Sequence, residues 1–148
     1  MKMKILQILT VIMTFFTACT TCAKAEVISF DTPITLKVNG KYIKTDSEPF
    51  LHNGLTYVPI RFVSDALCAK SVRWESDTST AVIRTDKKEI ELRPDSKTAV
   101  VNGKKVAVSG SVLLVKDRVY VPVRFVSENM ESQVLWDSGT YTVDIYKD

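Results

Sequence analysis

Tyr57-Val58-Pro59-Ile60-Arg61-Phe62-Val63-Ser64 returns 63 positions later as Tyr120-Val121-Pro122-Val123-Arg124-Phe125-Val126-Ser127. Each copy reads as a short strand running into a helix. Tyr and Val suit a pleated, half-buried surface. Proline is favoured at the first helical position, where its missing N–H leaves no bond unmade. Beyond Pro59, the residues Ile60, Val63, Ala66 and Leu67 fall at helical spacing and predict a helix over about Pro59–Cys68. Val123, Val126 and Met130 repeat that apolar stripe.

Outward from these two strings the correspondence continues. Val38-Asn39-Gly40-Lys41 returns as Val101-Asn102-Gly103-Lys104, again 63 positions on, and Trp74-Glu75-Ser76-Asp77-Thr78 returns as Trp136-Asp137-Ser138-Gly139-Thr140 at 62. The chain therefore reads as two tandem repeats, about 34–85 and 98–146. The change of offset falls between Cys68 and Val72, a loop, where one inserted residue is easily tolerated. Ile34–Val38 alternates apolar and polar residues as a half-buried strand does. Asn39-Gly40 and Asn102-Gly103 signal type I′ hairpin turns, because Asn and Gly accept positive φ. Asn53-Gly54 marks a further turn, where the second repeat carries Lys116-Asp117-Arg118. Val72–Glu75 and Thr80–Ile83 read as one hairpin, Val134–Trp136 and Tyr141–Ile145 as its counterpart, and Glu89–Leu92 as a strand between repeats. The expected class is α+β, two tandem repeats of antiparallel strands each with one short helix packed on its sheet. The repeats either share strands in one pseudo-symmetric unit or form two beads. No Gly/Ser-rich connector is present to favour the beads.

The segment before the repeats has a different character. Lys2 and Lys4 precede an uncharged stretch from Ile5 to Ala18, and Ala23-Lys24-Ala25 supplies a small-residue cleavage pattern. A basic start, an apolar stretch and such a site make a secretory signal peptide over 1–25, with the mature chain at 26–148. Phe16-Thr17-Ala18-Cys19 offers an alternative, a lipobox in which Cys19 becomes a lipidated first residue; Phe stands there in place of the usual Leu. Either route implies export, to a secreted or surface location.

Charge depends on that cleavage. The 148 residues hold 20 Lys+Arg against 17 Asp+Glu, a formal +3. Residues 1–25 carry Lys2, Lys4 and Lys24 and no acid, so removing them leaves equal numbers of basic and acidic side chains. With no long basic run left, nucleic acid is not an expected partner. A membrane partner is expected only through lipidated Cys19. At 45% hydrophobic and 25% charged residues, the composition excludes a disordered or multi-span chain.

The string Asn-Gly, then Tyr57-Val58-Pro59-Ile60-Arg61-Phe62-Val63-Ser64-Asp65-Ala66-Leu67, then Val72-Arg73-Trp74-Glu75, resembles the copper amine oxidase N-terminal-like domain, also called the stalk domain. The resemblance covers nearly all of residues 30–147. It implies an α+β, non-catalytic module of the bacterial envelope, often attached to hydrolases or wall-binding modules. Pro59, Arg61, Phe62, Pro122, Arg124 and Phe125 carry the structural core of the pattern. Family members usually have Gly after the Ala-Leu of the helix, as a left-handed cap; Cys68 and Glu131 stand there instead. Helix ends less sharp than the family's, or capped by a neighbour, are therefore expected. The copper of the name belongs to a separate catalytic domain, and no Asn-Tyr-Asp/Glu motif or His-x-His pair appears. No metal or cofactor is expected.

Candidate sites each have a structural reading. Arg61 and Arg124 would clamp their helices to an acid or a backbone carbonyl, or else form two symmetric anion contacts. Trp74 and Trp136 would be core or half-core; exposed, they would stack on glycan rings. His52, the sole histidine, lies beside a turn and is expected in solvent. Glu89 and Glu91 imitate a catalytic pair but share one strand face opposite Ile90 and Leu92, and would face water. Cys68, the only thiol left after cleavage at Ala25, is expected to be buried at the end of an apolar helix face. The reading that follows is an exported, non-catalytic binding or scaffolding module whose partner is a cell-wall polymer or an envelope protein. A small secreted wall hydrolase is the alternative.

Overall fold

A computed structural model of the chain describes residues 32–147. The expected signal peptide, its Ala25 cleavage site and Cys19 lie outside the described residues. In chain order the first half runs β1 (Thr35–Val38), β2 (Lys41–Tyr42), β3 (Phe50–His52), β4 (Leu55–Pro59), α1 (Ile60–Ala66), β5 (Ser71–Glu75) and β6 (Thr80–Arg84). After β7 (Glu89–Leu92) come β8 (Thr98–Val101), β9 (Lys104–Ala107), β10 (Leu113–Val115), β11 (Arg118–Pro122), α2 (Val123–Asn129), β12 (Ser132–Asp137) and β13 (Thr142–Lys147). The described chain is thus mostly β-sheet with two helices, an α+β composition.

The turns form where their chemistry calls for them. Asn39 and Gly40 have φ of 50° and 73°, Asn102 and Gly103 49° and 77°, Asn53 and Gly54 49° and 74°. Two consecutive positive φ values define the type I′ turn, whose twist matches that of the strands it joins. Lys116 and Asp117 take the same geometry, at 48° and 60°, without glycine.

Three sheets result, with orders β12-β13-β1-β2, β10-β11-β4-β3 and β5-β6-β7-β8-β9. In the middle one, β4 and β11 lie antiparallel with Val58 opposite Val121, Tyr57 opposite Pro122 and Pro59 opposite Tyr120. The first sheet joins the two ends of the fold. There β1 pairs with β13 in parallel, Leu36 opposite Val143 and Val38 opposite Ile145. This departs from the all-antiparallel sheets expected. A parallel pair needs a long crossover between its strands, and here the whole intervening chain serves as one.

The helices are shorter than the spacing predicts. Pro59 stays extended (φ −68°, ψ 120°) as the last residue of β4, so it flanks α1 and Ile60 is the first helical residue. Pro122 does the same before α2. At the other end, Cys68 and Glu131 themselves take the left-handed conformation, with φ of 59° and 58°. The Cys68 N–H donates to the Asp65 carbonyl and the Ala69 N–H to the Ser64 carbonyl, at 3.0 and 2.9 Å. These are the paired bonds of a Schellman cap. In α2 the Ser132 hydroxyl supplies the outer bond, donating to the Ser127 carbonyl at 2.7 Å. The helix ends are therefore sharp despite the missing glycines.

One apolar core draws on all three sheets and both helices: Val58, Val63, Leu67, Ile83, Ile90, Val121, Val126 and Ile145 are among its members. Each fully buried aliphatic side chain contributes about 1.5–3 kcal/mol. A second cluster lies under the middle sheet, with Phe50 stacked on Tyr57 (5.5 Å between ring centres) and tilted against Tyr120 (4.9 Å). Burial pushes the Tyr120 phenol above its ordinary pKa; its hydroxyl donates to the Glu48 carbonyl at 3.2 Å. Gly110 packs against this cluster so closely that a Cβ there would lie 2.5 Å from the Tyr57 oxygen.

Candidate functional site: two grooves built crosswise

The second helix residue, Arg61, projects from α1 beside Trp74 of β5. With Pro59, Val72, Ala81 and the β10–β11 hairpin residues Leu114, Asp117 and Val119, they line a groove of about 440 Å³. Arg124 of α2 and Trp136 of β12 make the counterpart. With Pro122, Val134, Val143 and the β3–β4 hairpin residues Leu51, Gly54 and Thr56, they line a groove of about 300 Å³. Both volumes lie near the lower end of the range for small-ligand sites, about 300–1,000 Å³. Each groove takes its helix and tryptophan strand from one half of the chain and its hairpin from the other. The lining residues correspond at the offsets of 63 and 62 found in the sequence: Arg61 with Arg124, Trp74 with Trp136, Leu114 with Leu51, Asp117 with Gly54.

Strand alternation puts Val72 and Trp74 on one face, as it does Val134 and Trp136. Both indoles are 40% exposed. Neither is the core or half-core residue expected: both are exposed and stand outside the apolar clusters, because their strand face lines a groove instead of packing on the core. Trp136 is braced by the edge of Tyr141, 6.1 Å away between ring centres. Neither Arg61 nor Arg124 closes the expected clamp: both are exposed, and among the described residues neither has a hydrogen-bond or ion-pair partner. The reason is positional. Ile60 and Val63, like Val123 and Val126, turn the apolar face of each helix into the core, which leaves Arg61 and Arg124 on the solvent side, and the acids one turn on, Asp65 and Glu128, do not pair with them. The other two arginines of the first groove are engaged, Arg118 with Asp46 at 2.7 Å and Arg73 with Glu75 at 3.0 Å. Phe62 is half-buried and Phe125 buried beneath the helices.

The remaining candidates lie elsewhere. Cys68 is exposed, not buried, because the left-handed cap turns its side chain away from the helix's apolar face. His52 is half-buried, its Nε2 3.2 Å from Asn53 Nδ2 and its ring edge-on to Tyr57. Glu89 and Glu91 sit on β7 opposite the buried Ile90 and Leu92; Glu89 is ion-paired with Arg84. Neither acid lines either groove. Among the described residues no group of three or more His, Cys, Asp and Glu could hold a metal, so copper finds no ligand set there. No described helix is long and apolar enough to cross a membrane.

Sequence reasoning found the arginines and tryptophans but missed Leu51, Leu114, Val72 and Val134. The signal was available: each pair shares the same 62- or 63-residue offset.

Fold and grooves together define a β-rich α+β module whose recesses carry an aromatic face and a guanidinium. The chain belongs to the copper amine oxidase N-terminal domain family, whose profile matches residues 37–145. That family is a non-catalytic N-terminal module of amine oxidases. A search of curated proteins returned no match.

Proposed function

We propose that the protein is an exported, non-catalytic binding or scaffolding module of the bacterial cell envelope, built as two tandem repeats that share strands. The observation that carries the binding role is the pair of corresponding grooves, each holding an exposed indole and a guanidinium without a partner among the described residues. The register of β4 against β11, with Val58 opposite Val121, supports the repeat: it sets a local two-fold axis between residues 63 apart. Export rests on the Lys2–Ala25 pattern, with lipidation at Cys19 as the tethered variant. The expected partner is a cell-wall polymer or an envelope protein.

Two measurements test this reading. The purified protein should co-sediment with insoluble cell-wall material; failure to do so, with no envelope protein recovered, refutes the binding role. The mass of the protein made in a bacterial host should correspond to a Glu26 terminus, or to a diacylglyceryl group on Cys19. An intact Met1 terminus in the cytoplasm refutes export.

A further inference from the structure

We propose that the two grooves are saccharide subsites for a pyranoside bearing a carboxylate, and that the Arg124–Trp136 groove is the more acid-selective of the two. This rests on the envelope-binding reading and names its ligand. An exposed indole at the wall of a recess offers a flat apolar face with a polar edge, the shape complement of a pyranose C–H face. Beside it, an unpartnered guanidinium presents forked donors that match a carboxylate two-to-two. Because Arg61 and Arg124 have no partner among the described residues, a bound carboxylate displaces no protein acid.

The grooves differ in charge: besides Arg61, the first is lined by Arg73 and Arg118, ion-paired with Glu75 and Asp46, where the second has Leu55 at the position matching Arg118. Asp117 lines the first, where the second has Gly54. With Arg73 and Arg118 held by Glu75 and Asp46, Asp117 offsets Arg61 and repels a carboxylate, whereas among the described residues Arg124 is the only charged side chain lining the second groove. Two subsites on one chain also raise retention on a polymer, since the second contact is intramolecular once the first has formed.

The chain has two tryptophans, one in each groove, so each indole N–H signal in an NMR spectrum reports on its own site. The purified protein is titrated with the N-acetylglucosamine–N-acetylmuramic acid disaccharide, and with N,N′-diacetylchitobiose as its neutral counterpart. Both indoles should shift, with half-saturation on the order of 1–10 mM as befits open grooves. At Trp136 the acidic disaccharide should bind about tenfold tighter than the neutral one. Arg124→Gln should abolish that preference, and Asp117→Gly should create a preference at Trp74. Trp74→Ala should leave the Trp136 response intact. The inference is overturned if neither indole responds to the acidic disaccharide while circular dichroism shows a native fold. It is also overturned if both disaccharides bind equally and Arg124→Gln changes nothing. Retention on wall material without disaccharide binding overturns this inference alone; loss of both overturns the envelope-binding reading as well.

Discussion

Replacing Cys68 by glycine should stabilise the fold, and replacing it by alanine should not. Cys68 closes the Schellman cap of α1 at φ 59° with its side chain exposed. An L-residue in that conformation carries a penalty of about 1–2 kcal/mol from the clash of Cβ with the following carbonyl. Glycine removes the penalty, but its freer unfolded chain offsets about 0.4–1 kcal/mol. The net gain is about 0.5–1 kcal/mol. Alanine keeps the clash and loses only an exposed thiol. For a domain of this size 1 kcal/mol moves the midpoint by about 4 °C, so glycine should raise Tm by about 2–4 °C over both alanine and wild type. Thermal melts followed by circular dichroism under reducing conditions read this directly. Glutamate at the matching position makes the control: Glu131→Gly should also gain, since its exposed ion pair with Lys87 contributes little. A glycine variant no more stable than alanine at position 68 would refute the account of the cap.

Other expectations follow the same logic. Lys116→Asn with Asp117→Gly gives the glycine-free turn the residues its two positive φ values call for, and should add about 0.5–1 kcal/mol in urea unfolding. Ser127 donates to the Val123 carbonyl at 2.8 Å, so Ser127→Ala should cost about 1 kcal/mol. The hydroxyl of Ser64, equally buried, has no partner among the described residues, and Ser64→Ala should be neutral or stabilising by about 1 kcal/mol; chemical denaturation that ranks the two the other way refutes the assignment. The Thr140 hydroxyl and the Gly139 N–H bond the Asp137 carboxylate and hold its pKa below the usual 3.8. The carboxylate therefore stabilises the β12–β13 turn fully above its unfolded pKa, and this is lost as pH falls through the lower folded value. An NMR titration placing the Asp137 midpoint at or above that of an unfolded peptide would contradict this.

What could be read from the sequence was what single residues and short spacings encode. Asn-Gly turns, the strand-to-helix string around Pro59 and the alternation of Glu89–Leu92 all depend on local chemistry, and the structure forms each of them. Competition between local preferences was harder to read. Pro59 suits a helix start, yet its pairing with Tyr120 holds it in the strand. Cys68 and Glu131 disfavour positive φ, yet the cap's two hydrogen bonds outweigh that penalty in α1. Long-range partnership was not encoded locally at all. Nothing in Thr35–Val38 announces a parallel match to Thr142–Ile145, more than a hundred residues away. The grooves were half legible for the same reason: Arg61 and Trp74 are close in sequence, but the hairpin facing them comes from the other half of the chain.

The parallel pairing of β1 with β13 has a mechanical consequence. Tension applied between the chain before Thr35 and the chain after Lys147 slides these two strands lengthwise past each other. The bonds that join them, including Thr35 N–H to the Tyr141 carbonyl and Asn39 N–H to the Ile145 carbonyl, are then loaded together. A hairpin pulled from its open end gives way one rung at a time under small force. Here the whole ladder must rupture at once, so the fold resists stretching along the direction in which its two ends would be pulled.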